Sequence, residues 1–162
     1  MRMLVAAKLP RILGLATRLL RDTPEAEEVA QEAFVRIWRH AGRWQPGRSR
    51  FDTWIHAVVL NLCRDRLRRR RQTTGEALPE LADPSPNAEA TMIEVQRGHA
   101  VAAAITALPE RQREAILLVH YQDLSGADAA AALGISVEAL ESLLARGRRS
   151  LRSRLAFQEG ER

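Results

Sequence analysis

Ala26, Val29, Ala30, Ala33, Phe34, Ile37 and Trp38 fall three and four residues apart, the period of an α-helix that buries one face. The residues before them fit a helix start. Thr23 can cap, Pro24 suits the first turn, and the acids that follow complement the dipole. The opposite face carries Glu28, Gln31, Glu32, Val35 and Arg39. Leu4, Ala7, Ile12, Leu15 and Leu19 repeat the helical spacing upstream, so residues 1–21 read as an amphipathic core helix. Lys8, Arg11 and Arg18 interrupt the apolar centre that a targeting peptide would need. A loop around Gly42 and residues 45–49 precedes a third helix, which runs from about Phe51 into an arginine-rich end. Aromatic residues make up only 4% of the chain, so its core must be mostly Leu, Ala, Val and Ile, which favours helices over a β-sandwich.

Residues 72–90 change character. Gly75, Pro79, Pro84 and Pro86 stand among Thr, Ser, Asn and acidic residues, the composition of a linker. So long a stretch without a helical pattern is unusual inside one compact domain. The expected architecture is all-α: two small helical domains, 1–71 and 96–158, joined by an acidic flexible linker, 72–95.

The net charge of +5 is unevenly spread. Residues 1–71 hold 16 basic and 7 acidic side chains, whereas 72–99 hold one and five. Arg64, Arg66, Arg68, Arg69, Arg70 and Arg71 crowd the end of the third helix, close to Trp44 and Trp54. Arginine forks suit phosphate, and aromatic rings suit stacked bases, so this end can grip a nucleic-acid strand. A solvated charge run closing a helix, favoured by the negative end of its dipole, accounts for the same residues.

The second half contains a helix-turn-helix pattern. Ser125-Gly126-Ala127-Asp128 is a capping box with Asp in place of the usual Glu. Ala127, Ala130 and Ala131 allow close helix contact; Gly134 suits the turn, Ile135 plugs the core, and Ser136 caps the next helix. Val137, Leu140 and Leu144 are expected to face inward. Glu138, Ala139, Glu141, Ser142 and Ala145 then lie on the side that would approach base edges, with Arg146, Arg148, Arg149, Arg152 and Arg154 beyond them for phosphates. A plain antiparallel helix pair, with both glutamates merely exposed, fits the same residues.

Several classes are excluded or disfavoured. The single Cys63 allows no disulfide within the chain, and His40, His56, His99 and His120 have no zinc spacing. No apolar run approaches the ~20 residues of a membrane span. There is neither a phosphate-binding loop motif nor a nucleophile elbow, so no catalytic residue, metal or cofactor is expected.

Residues 25–38, from Glu25 to Trp38, resemble the core-polymerase-binding helix of bacterial extracytoplasmic-function (ECF) sigma factors. Trp44 to Arg48, with Phe51, Trp54 and Asn61 to Arg70, is similar to the family's promoter-melting and −10-reading region. Leu108-Pro109-Glu110 through Leu151 is similar to its −35-reading domain. The three segments stand in the family's order, with the linker in the family's place. The resemblance implies a sigma factor that takes core RNA polymerase to promoter DNA in the cytoplasm, with an anti-sigma factor as a further partner. Glu28, Gln31, Glu32, Val35 and Arg39 would meet the polymerase, while Phe34, Ile37 and Trp38 would stay mainly in the core. Trp44, Arg48, Arg50, Trp54, Asn61, Arg64, Asp65, Arg68, Arg69 and Arg70 would hold the −10 element. Ser136, Glu138, Ala139, Glu141, Ser142, Arg146, Arg148 and Arg149 would meet the −35 element.

The chain departs from the family in two places. It begins too late for most of the helix that usually precedes the one holding Leu15, which leaves a trimmed chain or a misplaced start open. At the −35 helix, Glu141 stands where the family has a base, and Leu143 is either core or a protein contact. The competing function is a stand-alone helix-turn-helix regulator, which would bind duplex DNA without polymerase.

Overall fold

In the computed structural model the described residues are 2–40, 51–74 and 92–160, and among them there is no strand. In these described residues seven α-helices follow one another: α1 Arg2–Leu20, α2 Thr23–His40, α3 Phe51–Thr74, α4 Met92–Thr106, α5 Glu110–Ile116, α6 Gly126–Leu133 and α7 Val137–Gly160. A π-helical stretch, Leu117–Tyr121, continues α5.

The first three helices pack mutually. Ile12, Leu15 and Leu19 of α1 meet Ala26, Val29, Ala33 and Ile37 of α2 and Ile55, Val59, Leu60 and Leu67 of α3 in the core. The small residues of α2 let α1 approach closely. α1 ends at Arg21, whose φ of 54° lies in the left-handed region, and α2 starts at once. Its cap is Asp22, not Thr23: Asp22 Oδ1 accepts the Glu25 backbone N–H at 3.0 Å. Ala7 is exposed rather than buried. Trp38 also leaves the expected core, at 63% exposure, and Phe34 is only half-buried, because among the described residues no further helix covers that edge of the α2 stripe.

The second half is built around α7, which packs against α4, α5 and α6. Buried Arg113 ties α4 to α5, donating to the carbonyls of Thr106 at 2.9 Å and Leu108 at 2.8 Å. These are groups that a helix end leaves unpaired. The helix-turn-helix forms as read. Ser125 Oγ accepts from the Asp128 N–H at 3.1 Å, and Ser136 Oγ from the Ala139 N–H at 3.1 Å. Between them Gly134 sits at φ 69°, Ile135 N donates to Ala130 O and Gly134 N to Ala131 O, the Schellman pattern. Three details differ. Val137 is 40% exposed, since it opens α7 before the helix reaches its neighbours. Ala130 is buried as expected, but Ala127 and Ala131 are exposed, and Ala129 and Ala132 are buried in their place. Leu143 packs against the core.

The two halves touch. α3 lies against α6, and polar side chains line the seam. His56 Nδ1 is 2.6 Å from Asp52 O, and its Nε2 faces Gln122 Oε1 at 3.1 Å. Thr53 Oγ1 donates to Asp128 Oδ1 at 3.4 Å. The π-helical stretch ends with Gln122 N bonded to Leu117 O, and it leaves the Gln122 side chain buried, with its amide donating to Arg11 O at 3.3 Å.

Candidate nucleic-acid interface

The arginine-rich end of α3 is not a bare cationic tip. Arg64 reaches across the seam and donates Nε and Nη2 to the two carboxylate oxygens of Glu114, at 2.8 and 2.6 Å. This hydrogen-bonded pairing raises the Arg64 pKa above its ordinary value, although partial burial opposes it. Arg66 bonds Glu28 at 2.8 Å and lies near Glu32 and Glu25, and its pKa is raised for the same reason, first of all the Glu28 bond. Arg68 pairs with Asp65 on the surface. Arg70 donates to Leu20 O at 2.9 Å and to Glu25, so it fastens α3 to the α1–α2 corner. Arg71 reaches Glu110 at 3.0 Å. Arg69 is exposed and makes no ion pair with the described residues.

Of the other residues read as −10 contacts, Asn61 is exposed and Trp54 is half-buried. The Trp54 ring packs 5.8 Å from Phe51 and edge-on, 6.4 Å, from His40. Trp44, Arg48 and Arg50 lie outside the described residues. Arg64, Arg68 and Arg71, with Gln72 and Glu110, line a common cleft.

On α7, Glu138, Ala139, Glu141 and Ser142 are all exposed on the first turns, and Ser136 is occupied as the cap. Arg146 and Arg149 share one face with Ser150, Ser153 and Arg154. Arg148 turns aside to His120 Nε2, 3.3 Å from its Nε. On α2, Gln31, Val35 and Arg39 line an open groove of about 740 Å³ with Leu9, Leu13, Phe34 and Trp38. Glu28 and Glu32 lie outside that groove and face Arg66.

Three polar residues that the sequence reading passed over, Arg113, Glu114 and Gln122, hold this arrangement together with His56, and all four are buried. Desolvation lowers the Arg113 pKa, with Glu110 and Glu114 opposing. Arg113-Glu114 directly before the apolar run 115–119 was the available signal, since charges there must be paired.

Residues 4–73 match the family model of sigma-70 region 2, and residues 98–151 match sigma-70 region 4. The chain is 33% identical over 143 residues to the ECF RNA polymerase sigma factor SigM of Mycobacterium tuberculosis, across 88% of this chain and 70% of the relative. This chain belongs to the ECF sigma factors of the sigma-70 family. It is 35% identical to the ECF sigma factor SigE of Mycolicibacterium smegmatis over 98% of its own length, but spans only 62% of that relative. It spans 37% of the probable sigma factor RfaY of Xanthomonas campestris. Among solved structures, CnrH in complex with the cytosolic domain of CnrY matches with a TM-score of 0.70 at 28% identity, over 95% of this chain and 86% of that one. The fold also matches the sigma factor RpoE in complex with the anti-sigma factor NepR from Bartonella quintana, with a TM-score of 0.81 at 22% identity over 96% of both chains. In family terms α1–α3 form region 2 and α4–α7 form region 4. Among the described residues no helix is long and apolar enough to cross a membrane, and no group of side chains could hold a metal ion.

Proposed function

We propose that this ECF sigma factor is a dissociable promoter-recognition subunit of RNA polymerase, acting in the cytoplasm without catalytic residues of its own. Residues 1–71 form the polymerase-binding and −10 domain, 72–95 the linker, and 96–158 the −35 domain. The α2 face with Gln31, Val35 and Arg39 docks on core polymerase. α7 enters the major groove, where Glu138, Ala139, Glu141 and Ser142 meet base edges while Arg146 and Arg149 hold phosphates. Asn61, Arg64, Arg68 and Arg69, with Trp54 nearby, hold the −10 strand. Opening the duplex costs a few kcal/mol per unstacked step. Preferential binding of the open strand offsets it, with no chemical step. An anti-sigma factor is the expected antagonist.

The observation that carries this reading is the pairing, on one chain and in order, of region 2 and region 4, each presenting exposed arginines on its last helix. The test is start-site mapping with purified chain, core polymerase and genomic DNA fragments. Defined transcript starts are expected, and Arg68→Ala with Arg69→Ala should cut open-complex yield about tenfold or more, given two lost phosphate contacts. Arg70→Ala belongs in a separate stability assay, because its partners are internal. Tight duplex binding without polymerase, and no transcripts with it, would instead make the chain an autonomous regulator.

A further inference from the structure

The exposed face of α7 changes sign along its length. Glu138, Glu141, Ser142, Ala145 and Arg149 fall on one exposed stripe at helical spacing, opposite buried Leu140, Leu144 and Gly147. The first two turns carry two acids and no base, and from Arg146 onward there are five arginines and no acid before Glu159. Neither Glu138 nor Glu141 forms an ion pair with the described residues. Glu138 stands in the first turn, where the helix dipole favours an acid. Glu141 lies beyond that turn, three residues from a like charge, with Leu144 and Ala145 where a basic partner would stand. Nothing among the described residues therefore stabilises a carboxylate at 141. From Glu141 to Arg149 is about 12 Å along the helix axis, close to the width of the major groove. With Arg146 and Arg149 on phosphates, Glu141 comes over the base edges, where a carboxylate is accepted only if a donor meets it.

We infer that Glu141 makes cytosine the required base at the position it faces in the −35 duplex. The inference rests on the reading of α7 as the helix that enters the major groove. A carboxylate accepts hydrogen bonds and donates none. In that groove guanine shows two acceptors, and thymine shows an acceptor and a methyl group, so both turn it away. Adenine places its N6 donor beside the N7 acceptor, which opposes a group that cannot donate. Cytosine alone shows a donor, N4, with no acceptor of its own. Glu141 therefore rejects as well as selects, since any other base leaves its carboxylate desolvated and unpaired.

The test is selection from a randomised duplex library, run on the full chain alone and on the chain with core polymerase. Cytosine should dominate at one position at least for the unaltered chain. Any other base there should weaken binding about tenfold, read by fluorescence anisotropy on single-base-pair variants of the selected duplex. Glu141→Gln should move that position, and no other, to adenine, because a side-chain amide accepts from N6 and donates to N7. Glu141→Ala should leave the position indifferent. Glu159→Gln, which removes a charge at an exposed site on the same helix, should change none. Selected sequences that stay the same in both Glu141 variants overturn the assignment, and so does a base other than cytosine at the position they alter. The absence of any selected base in both arms overturns it as well. A cytosine preference that persists in the chain alone, without transcripts from the chain and core polymerase, would remove the sigma function and leave the assignment standing. Transcripts from promoters indifferent to Glu141 would do the reverse.

Discussion

Cys63 is buried on α3, with Glu114 and Glu25 close enough to act on its thiol. Burial above all, and then these two carboxylates, push the thiol from its ordinary 9.0 up to about 12, while Arg66 opposes. The folded thiol therefore stays protonated where an unfolded one has begun to ionise. Below pH 9 both states hold the proton and the group is neutral to stability. As pH rises from 9 toward 12 the unfolded state releases its proton first, so folding stability falls, approaching ~1.4 kcal/mol per pH unit. Between about pH 9 and 10.5 the unaltered chain should lose roughly 1.5 kcal/mol more than Cys63→Ala, read from urea unfolding at each pH. Equal losses in the two chains would place the thiol in a wetter site than its burial implies. The neighbouring charges follow the same rule. Arg64 and Arg113 are tolerated inside because every strong donor they bury meets a carboxylate or a carbonyl.

Helix α7 depends on one close approach. A Cβ built on Gly147 would lie 3.0 Å from Ile116 Cγ1 and 3.3 Å from its Cδ1, so α5 and α7 meet backbone to side chain there. Gly147→Ala gains about 1 kcal/mol of helix propensity but overpacks the contact by about 1–3 kcal/mol. A net loss near 1 kcal/mol is expected in urea unfolding, whereas Gly98→Ala, with nothing within 4 Å of its Cβ, should gain about 0.5–1 kcal/mol. A stabilising Gly147→Ala would mean that Ile116 has room to turn away. At this scale much was legible beforehand. The three-and-four spacing placed α1 and α2, and Ser125, Gly134 and Ser136 marked the helix-turn-helix because each has a local hydrogen-bonding or conformational task. What failed was not local. Trp38 and Val137 carry the right period, but periodicity does not say whether another helix covers a given edge. Asp22 and Thr23 are both good caps one residue apart, and only the turn at Arg21 decides between them. The Arg64–Glu114 pair joins residues 50 apart, and no spacing rule connects them.

In the whole molecule the α1–α2 groove, proposed above to dock on polymerase, and the inter-region seam use different residues. Leu9 and Leu13 of α1 and Phe34, Val35 and Trp38 of α2 line the groove, and no residue of region 4 does. Trp38 and Val35, 63% and 43% exposed, contribute little to the core, so their removal should cost within about 0.5 kcal/mol of stability. A tryptophan at the mouth of an apolar groove is nevertheless a strong anchor for a partner helix, of the kind whose truncation costs 2 kcal/mol or more in binding. Trp38→Ala should therefore weaken capture by immobilised core polymerase about thirtyfold while leaving the melting temperature nearly unchanged. Val35→Glu should do the same by placing a charge in the groove. Glu114→Gln should leave this capture alone, because loosening the Arg64–Glu114 pair does not reshape α1 against α2. A Trp38→Ala chain that melts early would show that the ring is packing after all. One that stays stable and still binds polymerase would move the docking face elsewhere on region 2. Equal loss of capture in Glu114→Gln would mean that the two surfaces are coupled rather than independent.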